Sequence, residues 1–518
     1  RLLVLFVVLA LGGLPTAAVA DPTDPAGWGA LAAGPHAVGF RVFDEYDFSR
    51  TFRSQLDFRG ARLRDGNPRP IQVSVWYPAE PGAEQPHLRL RDYLLLMTRE
   101  VDFDSPPSDD IGPVLRRFRI ERAPDDLDVA TLARRDAPLL PGRFPLILYA
   151  PSLGSSSAEN VVLCEYLASH GYVVAASPAV GMYDRQMVGS ITDLYAQVHD
   201  LAFLAAFMRS FPGVDMERVG TLGFSWGGLS NVVLAMLNST VKAVVSLDGS
   251  ISFADHVKLA RDSFLYDPDT FRVPLMLVSQ SPWRYAQIRD YSFFTELEYS
   301  DVVLVYAHDL VHMHFASTFM SLFGFIPSEG NAPTTDEARI LGSYHVVCRY
   351  TLQFLDAHLK GSQEAAAFLG RAPEENGIPG EVLSVTRRRA IEAPPLPDQF
   401  VELILSEGVG TATRIFRETK ALHPEYVLFQ PGQLIQLSAR LEAAGDIEEA
   451  AGVLELATLG APGSYNAYDR LAPDLPVREQ PTREVVAVAD RELDDHVGGP
   501  VRLPKDHVGV GLEADVHR

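Results

Sequence analysis

The stretch Thr221–Ser230, TLGFSWGGLS, places Ser225 between closely spaced glycines, with an apolar run on each side. RVGTLGF before it is typical of a strand, and GLSNVVLAML after it has apolar residues at 229, 232, 233 and 236, one face of a helix. A strand, a G-x-S-x-G turn and a helix form a nucleophile elbow, in which the glycines are required because strand and helix nearly touch. The stretch therefore predicts that Ser225 is a nucleophile; the alternative is a glycine-rich turn with an idle serine.

Around this stretch, β-rich runs alternate with helical patterns. The predicted strands are FPLILYA, YVVAASP, RVGTLGF, KAVVSLDG, VPLMLVSQ and DVVLVYAH, preceded by two more in residues 38–50 and 69–79. Apolar strands that alternate with helices indicate an α/β fold, a mostly parallel sheet covered by helices on both faces. Residues 88–142 are polar and proline-rich, and we predict that they form an insertion. In such folds the ligand site lies beyond the carboxyl ends of the strands.

A serine hydroxyl needs a base to become a good nucleophile. VVLVYAHDLVHMHFAS, after the last predicted strand, supplies His308, His312 and His314. His308 falls where the strand ends, whereas His312 lies in the loop, and we predict that His312 is the base. The rival interpretation is a zinc site made by the three histidines, which would leave the serine turn unexplained.

The base in turn needs a carboxylate that orients it. The loop after VPLMLVSQ offers no carboxylate before Asp290, but KAVVSLDGS places Asp248 at the carboxyl end of the strand after the serine turn. We predict Asp248 as the acid. An ordinary Asp-Gly turn is the alternative for Asp248, and Asp290 and Asp309 are the competing acids.

The oxyanion of an acyl-transfer intermediate requires two backbone N–H groups. The N–H of Trp226 follows the nucleophile directly. PSLGSSS, after FPLILYA, supplies the second donor, for which the N–H of Leu153 beside Gly154 is the best candidate.

The composition restricts the partners of the chain. Its 518 residues carry a formal net charge of −22, and 47% of them are hydrophobic and 22% charged. This describes a globular protein, and the negative charge argues against nucleic-acid binding and polybasic membrane docking. Cys164 and Cys348 lie in helical patterns and are expected to be buried thiols. No residue pattern calls for a metal or an organic cofactor.

The two ends of the chain differ from its centre. Residues 1–20 have a positive start, an apolar core and an A-x-A ending, the pattern of a signal peptide for export to the periplasm or the medium. A hydrolase domain would span 21–390 and end at a proline-rich linker. Residues 391–470 contain two helix–Gly–helix–Pro patterns that resemble tetratricopeptide repeats, with glycines at 408 and 445. Residues 471–518 lack a period and are expected to form a mobile tail.

Residues 36–360 resemble the platelet-activating-factor acetylhydrolases and their dienelactone-hydrolase-like relatives, which have the α/β-hydrolase fold. The matching stretches are GPHAVGFRVFDEYDFSR, IQVSVWYPAE, SLGSSSAENVVLCEYLASHGYVVAAS, GFSWGG, VVSLDGS and LVHMHFAST. The resemblance implies Ser225, Asp248 and His312 as the triad, with Leu153 and Trp226 as oxyanion donors. One departure is that Pro151 and Ser152 stand where the family usually has His-Gly.

These features predict an exported serine carboxylic-ester hydrolase without a metal or cofactor. The resemblance suggests short-chain esters, with a lipid-like alcohol as one option. A thioesterase or peptidase would use the same triad. An interaction protein that binds a partner through its helical repeats is the alternative from another class.

Overall fold

The computed structural model describes residues 25, 27–52, 67–120, 127–324 and 334–471. The chain divides into two compact units, Arg1–Glu392 and Ala393–Arg518. The predicted signal segment, residues 1–20, and the predicted tail beyond residue 471 lie outside the described residues and stay predictions. In the described ranges no helix is both long enough and apolar enough to span a membrane.

The strands of the first unit form one sheet in the order β11-β10-β9-β8-β7-β5-β6-β2-β1-β4-β3. Their bounds are β1 Ala37–Phe52, β2 Asn67–Ala79, β3 His87–Arg89, β4 Ala130–Arg135, β5 Phe144–Ala150, β6 Val173–Ala176, β7 Val214–Phe224, β8 Val241–Leu247, β9 Leu275–Gln280, β10 Val302–Ala307 and β11 Leu383–Arg388. Strands β5 to β10 pair in parallel, and β1, β2 and β11 add antiparallel pairs at the two sides. The predicted α/β-hydrolase fold with a mostly parallel sheet is confirmed.

Helices cover both faces of this sheet. Their bounds are α1 Leu90–Leu95, α2 Gly112–Phe118, α3 Val161–Ser169, α4 Ile191–Met208, α5 Trp226–Leu237, α6 Ala254–Arg261, α7 Phe293–Glu296, α8 Ser317–Leu322, α9 Thr335–Leu359 and α10 Gln363–Gly370. Buried side chains of α3 and α9 belong to one hydrophobic cluster, and those of α4 and α5 belong to the other. The central strands read as continuous apolar runs because each is buried from both sides. Cys164 in α3 and Cys348 in α9 are buried free thiols.

Residues 88–142, expected to form an insertion, contribute to the sheet itself. Strand β4 pairs in parallel with β1, and β3 pairs with β4 at the sheet edge. Strand β3 has only three residues, and β4 has a mixed sequence, ATLARR. Neither therefore shows the alternation of apolar and polar residues that predicts a strand. Strand β11 was not predicted either. It is an edge strand that pairs only with β10, and its sequence, LSVTRR, is not a continuous apolar run.

The chain reverses direction in the sheet next to β5. From β5 it proceeds to β6 on one side, then crosses to β7 on the other. Such a switch opens a crevice beyond the carboxyl ends of the two central strands. The loop after β5 and the serine turn after β7 therefore meet at the same place.

The second unit is helical. It contains α11 Pro397–Leu422, α12 Pro431–Ala444, α13 Ile447–Gly460 and α14 Tyr465–Leu471. Gly408 interrupts α11 with a φ of 84°, and Gly445 ends α12 with a φ of 93°, so both glycines of the two sequence patterns separate helical segments. Phe400 and Phe429 stack at 5.6 Å in its core. The resemblance of this helical region to tetratricopeptide repeats stays a prediction.

Candidate active site

Ser225 occupies a strained turn between β7 and α5. Its φ of 53° and ψ of −118° lie outside the backbone regions that residues other than glycine ordinarily adopt. A residue in such a conformation costs on the order of 1–3 kcal/mol, and strain of this kind concentrates at functional sites. The surrounding backbone maintains it, because the Ser225 N–H donates to Leu247 O at 3.0 Å and Ser225 O accepts from the Ser250 N–H at 2.8 Å.

Two glycines make this turn possible. A Cβ atom on Gly223 would lie 2.5 Å from the carbonyl carbon of Gly227, and one on Gly227 would lie 1.9 Å from Ala150 O. Neither distance allows a side chain, and both contacts are with backbone. The close approach of α5 to the end of β5 thus explains the G-x-S-x-G pattern sterically.

The structure brings Ser225, His312 and Asp248 together in one hydrogen-bonded chain. The Ser225 hydroxyl lies 3.0 Å from His312 Nε2, and His312 Nδ1 lies 2.6 Å from Asp248 Oδ2. The imidazole also contacts two aromatic rings, Phe224 at 4.8 Å and Phe253 at 5.8 Å between centroids. These rings restrict its orientation, so that one nitrogen faces the hydroxyl and the other the carboxylate.

Asp248 is completely buried directly after β8. Besides His312, its carboxylate accepts hydrogen bonds from the Ser279 hydroxyl at 3.0 Å, the Gln280 Nε2 at 2.8 Å and the Arg289 guanidinium at 2.8 Å. Burial alone would raise the pKa of Asp248, but the hydrogen bond and charge of His312, with the charge of Arg289, lower it to about 2. The carboxylate is therefore ionised throughout the neutral range.

The competing acids have other partners. Asp290 accepts a hydrogen bond from the Ser292 N–H at 2.8 Å and lies 3.6 Å from Arg261. Asp309 forms an ion pair with Arg339 and accepts a hydrogen bond from Ser343. Neither is bonded to His312.

The other two histidines of the predicted base segment do not join this chain of bonds. His314 is buried, and burial together with the nearby charges of Arg284 and Arg339 lowers its pKa to about 4. His308 directly follows β10, and its backbone N–H donates to Val382 O at 2.9 Å. Across the described ranges no group of three or more histidine, cysteine, aspartate or glutamate side chains is arranged to hold a metal ion.

The proposed oxyanion donors lie on the two segments that meet at the crevice. Trp226 is the first residue of α5, so its N–H has no acceptor within the helix. The Leu153 N–H has no hydrogen-bond partner among the described residues, whereas its neighbours Ser152 and Gly154 donate to Glu159 and to Met187 Sδ. Gly154, with a φ of 67°, completes the turn. Both donors are thus available for a ligand.

Glu159 stabilises this turn, and no sequence motif indicates that it has this role. Its carboxyl accepts hydrogen bonds from the Ser152 N–H at 2.8 Å, the Ser152 hydroxyl at 2.7 Å and the Tyr149 hydroxyl at 2.8 Å. The serine that departs from the family's His-Gly thus connects the turn to the segment that precedes α3. Burial raises the pKa of Glu159 to about 7, although the hydrogen bonds from Ser152 and Tyr149 act in the opposite direction.

The change Glu159→Gln is expected to remove a pH-dependent loss of stability. The pKa rises from 4.5 to about 7 on folding, so the folded protein retains a proton that the unfolded chain releases. The free energy of unfolding should therefore fall by roughly 3 kcal/mol as the pH rises from 4.5 to 7. Glutamine does not ionise, and the variant should lack this decrease.

Thermal unfolding of both proteins between pH 4.5 and pH 8 measures this difference. The exposed Glu364 on α10 provides the control, since Glu364→Gln should follow the wild type. Parallel stability curves for wild type and Glu159→Gln would contradict the prediction.

A cavity of about 300 Å³ opens beside Ser225 and His312. Apolar walls come from Phe253, Tyr285 and Ile288, and the remaining lining residues are Ser250, His256 and Gln280. The segment SPWRYAQIR, residues 281–289, thus supplies part of the wall, while its Trp283 is 85% exposed to solvent. The Ser225 hydroxyl and the His312 imidazole both face a mostly apolar space.

Comparison with known proteins supports a hydrolase core. Residues 138–263 match the model of the dienelactone hydrolase family. The match runs from the segment before β5 to the end of α6, and it includes Ser225 and Asp248 but not His312. The core is a dienelactone-hydrolase-like α/β-hydrolase, which confirms that part of the expected resemblance.

Among solved structures, the ferulic acid esterase from Streptomyces cinnamoneus is similar to this chain. The two are 22% identical, with a TM-score of 0.47 over 69% of this chain and 99% of the esterase. No curated protein sequence matches this chain.

Proposed function

We propose that this protein is a serine carboxylic-ester hydrolase that cleaves short-chain esters through an acyl-enzyme. The observation that carries the proposal is the hydrogen-bonded chain from Ser225 through His312 to buried Asp248, which ends at the cavity. The match of residues 138–263 to a hydrolase family supports it.

In the first half of the proposed reaction, His312 Nε2 takes the proton of the Ser225 hydroxyl while Oγ attacks the ester carbonyl carbon. The carbonyl oxygen becomes an oxyanion that accepts hydrogen bonds from the Leu153 and Trp226 N–H groups. Each such donor contributes about 3 kcal/mol to stabilisation of the transition state. The imidazolium of His312 is stabilised by Asp248, which accepts its Nδ1 proton in a hydrogen bond.

The imidazolium then protonates the leaving alcohol, and the acyl group remains on Ser225 Oγ. In the second half, water takes the place of the alcohol and His312 removes its proton. Attack on the acyl-enzyme forms a second oxyanion in the same site. Its collapse releases the carboxylic acid and returns the proton to Ser225.

The cavity sets the size and polarity of the proposed substrate. At about 300 Å³ it lies at the low end of the range for small-molecule sites, and Phe253 and Ile288 present apolar surface. A short, uncharged acyl group fits such a space. The net charge of −22 disfavours approach of anionic substrates.

A series of p-nitrophenyl esters from acetate to dodecanoate tests this function, with Ser225→Ala as the background. We expect kcat/KM to be highest for acyl groups of two to four carbons and to fall about tenfold or more for octanoate, because the longer chain cannot be enclosed. Ile288→Ala should shift the preference toward longer chains by enlarging the cavity.

Ile391→Ala is the matched control, since Ile391 is 47% exposed and Ile288 is 45% exposed, but only Ile288 lines the cavity. Equal hydrolysis by Ser225→Ala and wild type would refute the proposed function. A rate that increases with acyl length would instead show that the acyl group does not bind in this cavity.

A further inference from the structure

We propose that Arg289 is a positioning residue that connects the wall of the substrate cavity to the acid of the triad. This inference rests on the proposed function, because it assigns Arg289 a role in orienting Asp248 toward His312. Arg289 closes the segment 281–289, whose Tyr285 and Ile288 line the cavity.

Arg289 and Asp248 form a buried ion pair. The guanidinium Nη2 donates to Asp248 Oδ1 at 2.8 Å, and the two side chains are 2% and 0% exposed. Nη1 donates to the Ser252 hydroxyl oxygen at 2.6 Å, and the guanidinium lies 3.9 Å above the ring of Phe253. A buried charge is costly unless it is paired and hydrogen-bonded, so these contacts hold both groups in one arrangement.

The carboxylate divides its two oxygens between two tasks. Oδ1 accepts from Arg289 and Ser279, whereas Oδ2 accepts from His312 and from the Gln280 side chain. The strong charge-assisted bond on Oδ1 prevents the carboxylate from rotating. Oδ2 is thereby kept facing the imidazole.

The same residue is linked to the substrate wall through its backbone. Phe253 and Arg289 form an isolated antiparallel bridge, and the Asp290 N–H donates to Ser252 O at 3.0 Å. Phe253 lines the cavity, and its ring contacts both the Arg289 guanidinium and the His312 ring. An acyl group that presses on this wall therefore acts on the segment that holds the acid.

The charge of Arg289 also influences the base. A guanidinium beside Asp248 disfavours a second positive charge on the neighbouring imidazole, so its removal should change the pH profile of the reaction. Other titratable groups near the pair include His256, which lines the cavity, and Tyr306 on β10 with its neighbour Tyr291. None of these supplies a positive charge that could replace Arg289 in the neutral range.

The test compares Arg289→Met and Arg289→Lys in the full chain, with p-nitrophenyl acetate as the substrate. We expect Arg289→Met to lower kcat roughly 10- to 100-fold, the usual effect of losing a residue that orients a site group, with KM changed less than threefold. The acid limb of the kcat/KM profile should move toward higher pH. Arg289→Lys should return the acid limb to its wild-type position, even if kcat recovers only in part.

Arg261→Met is the matched control, because Arg261 also pairs with carboxylates but is 39% exposed and does not touch the triad. If Arg289→Met does not fold, Ser252→Ala removes the bond to Nη1 and retains the charge. That variant should lower kcat severalfold and leave the acid limb in place, and an unchanged kcat would overturn the inference.

An acid limb in Arg289→Met identical to that of wild type, with kcat equally low in both Arg289 variants, would show a structural role only. Wild-type kinetics in Arg289→Met, with Ser225→Ala inactive, would refute this inference and leave the proposed function intact. Activity in Ser225→Ala would refute the proposed function itself.

Discussion

Replacement of either Ser225 or His312 by alanine is expected to lower kcat about 10⁶-fold, as in serine hydrolases that lose the nucleophile or the base. The two effects should be similar, and the double variant should be no slower than either single one, because the residues act as a unit. The 3.0 Å contact between the Ser225 hydroxyl and His312 Nε2 is the physical reason. Steady-state hydrolysis of p-nitrophenyl acetate, with the protein's folding checked by circular dichroism, measures this loss.

His308→Ala is the control for this prediction, since His308 lies in the same segment and is not bonded to the serine. It should retain kcat within a few-fold of wild type, and a chelator should leave the wild-type rate unchanged. If a chelator inhibits the protein and zinc restores the rate, and if His308→Ala also has a severe effect, the reaction takes place at a metal site.

Asp248→Asn is expected to lower kcat by about 10⁴-fold, with little effect on KM. The asparagine has only one oxygen, and Arg289, which can only donate, will hold that oxygen on its own side. The amide NH₂ must then face His312 Nδ1, which has to accept a hydrogen bond instead of donating one. This favours the tautomer with the proton on Nε2, where it cannot take the proton of Ser225.

Asp290→Asn and Asp309→Asn provide matched controls, because their partners are Arg261 and Arg339 and not His312. Both should remain near the wild-type rate. A large loss in Asp290→Asn with a small one in Asp248→Asn would identify a different acid and contradict the arrangement described above.

The sequence is informative about the centre of the site because steric demands there are local. Gly223 lies against the backbone of α5, and Gly227 lies against the backbone at the end of β5. Neither position has room for a Cβ, so the requirement appears directly as glycine. The apolar runs of β5 to β10 likewise follow from burial on both faces of the sheet. Asp248 directly follows β8, 23 residues after the serine, so its position could be inferred from the strand pattern alone.

Other features could not be inferred, since they depend on contacts between distant segments. Arg289 reaches Asp248 across 41 residues and lies in a segment that has no catalytic pattern. Glu159 is only seven residues from Ser152, but it reads as one polar residue before a helix. The conformation of the loop decides that its carboxyl faces Ser152. Strand β11 pairs with β10 from about 80 residues away, so neither sequence contains a signal for the other.

The sequence by itself determined the α/β-hydrolase fold and the strand–turn–helix around Ser225, because periodic burial and backbone sterics act between near neighbours in the chain. Only the tertiary structure decided which of three histidines contacts the serine, which of three aspartates contacts that histidine, how large a space they face and which buried charge pairs with the aspartate. Those outcomes depend on the order and twist of the strands, which bring the loops after β5, β7, β8 and β10 to one edge of the sheet.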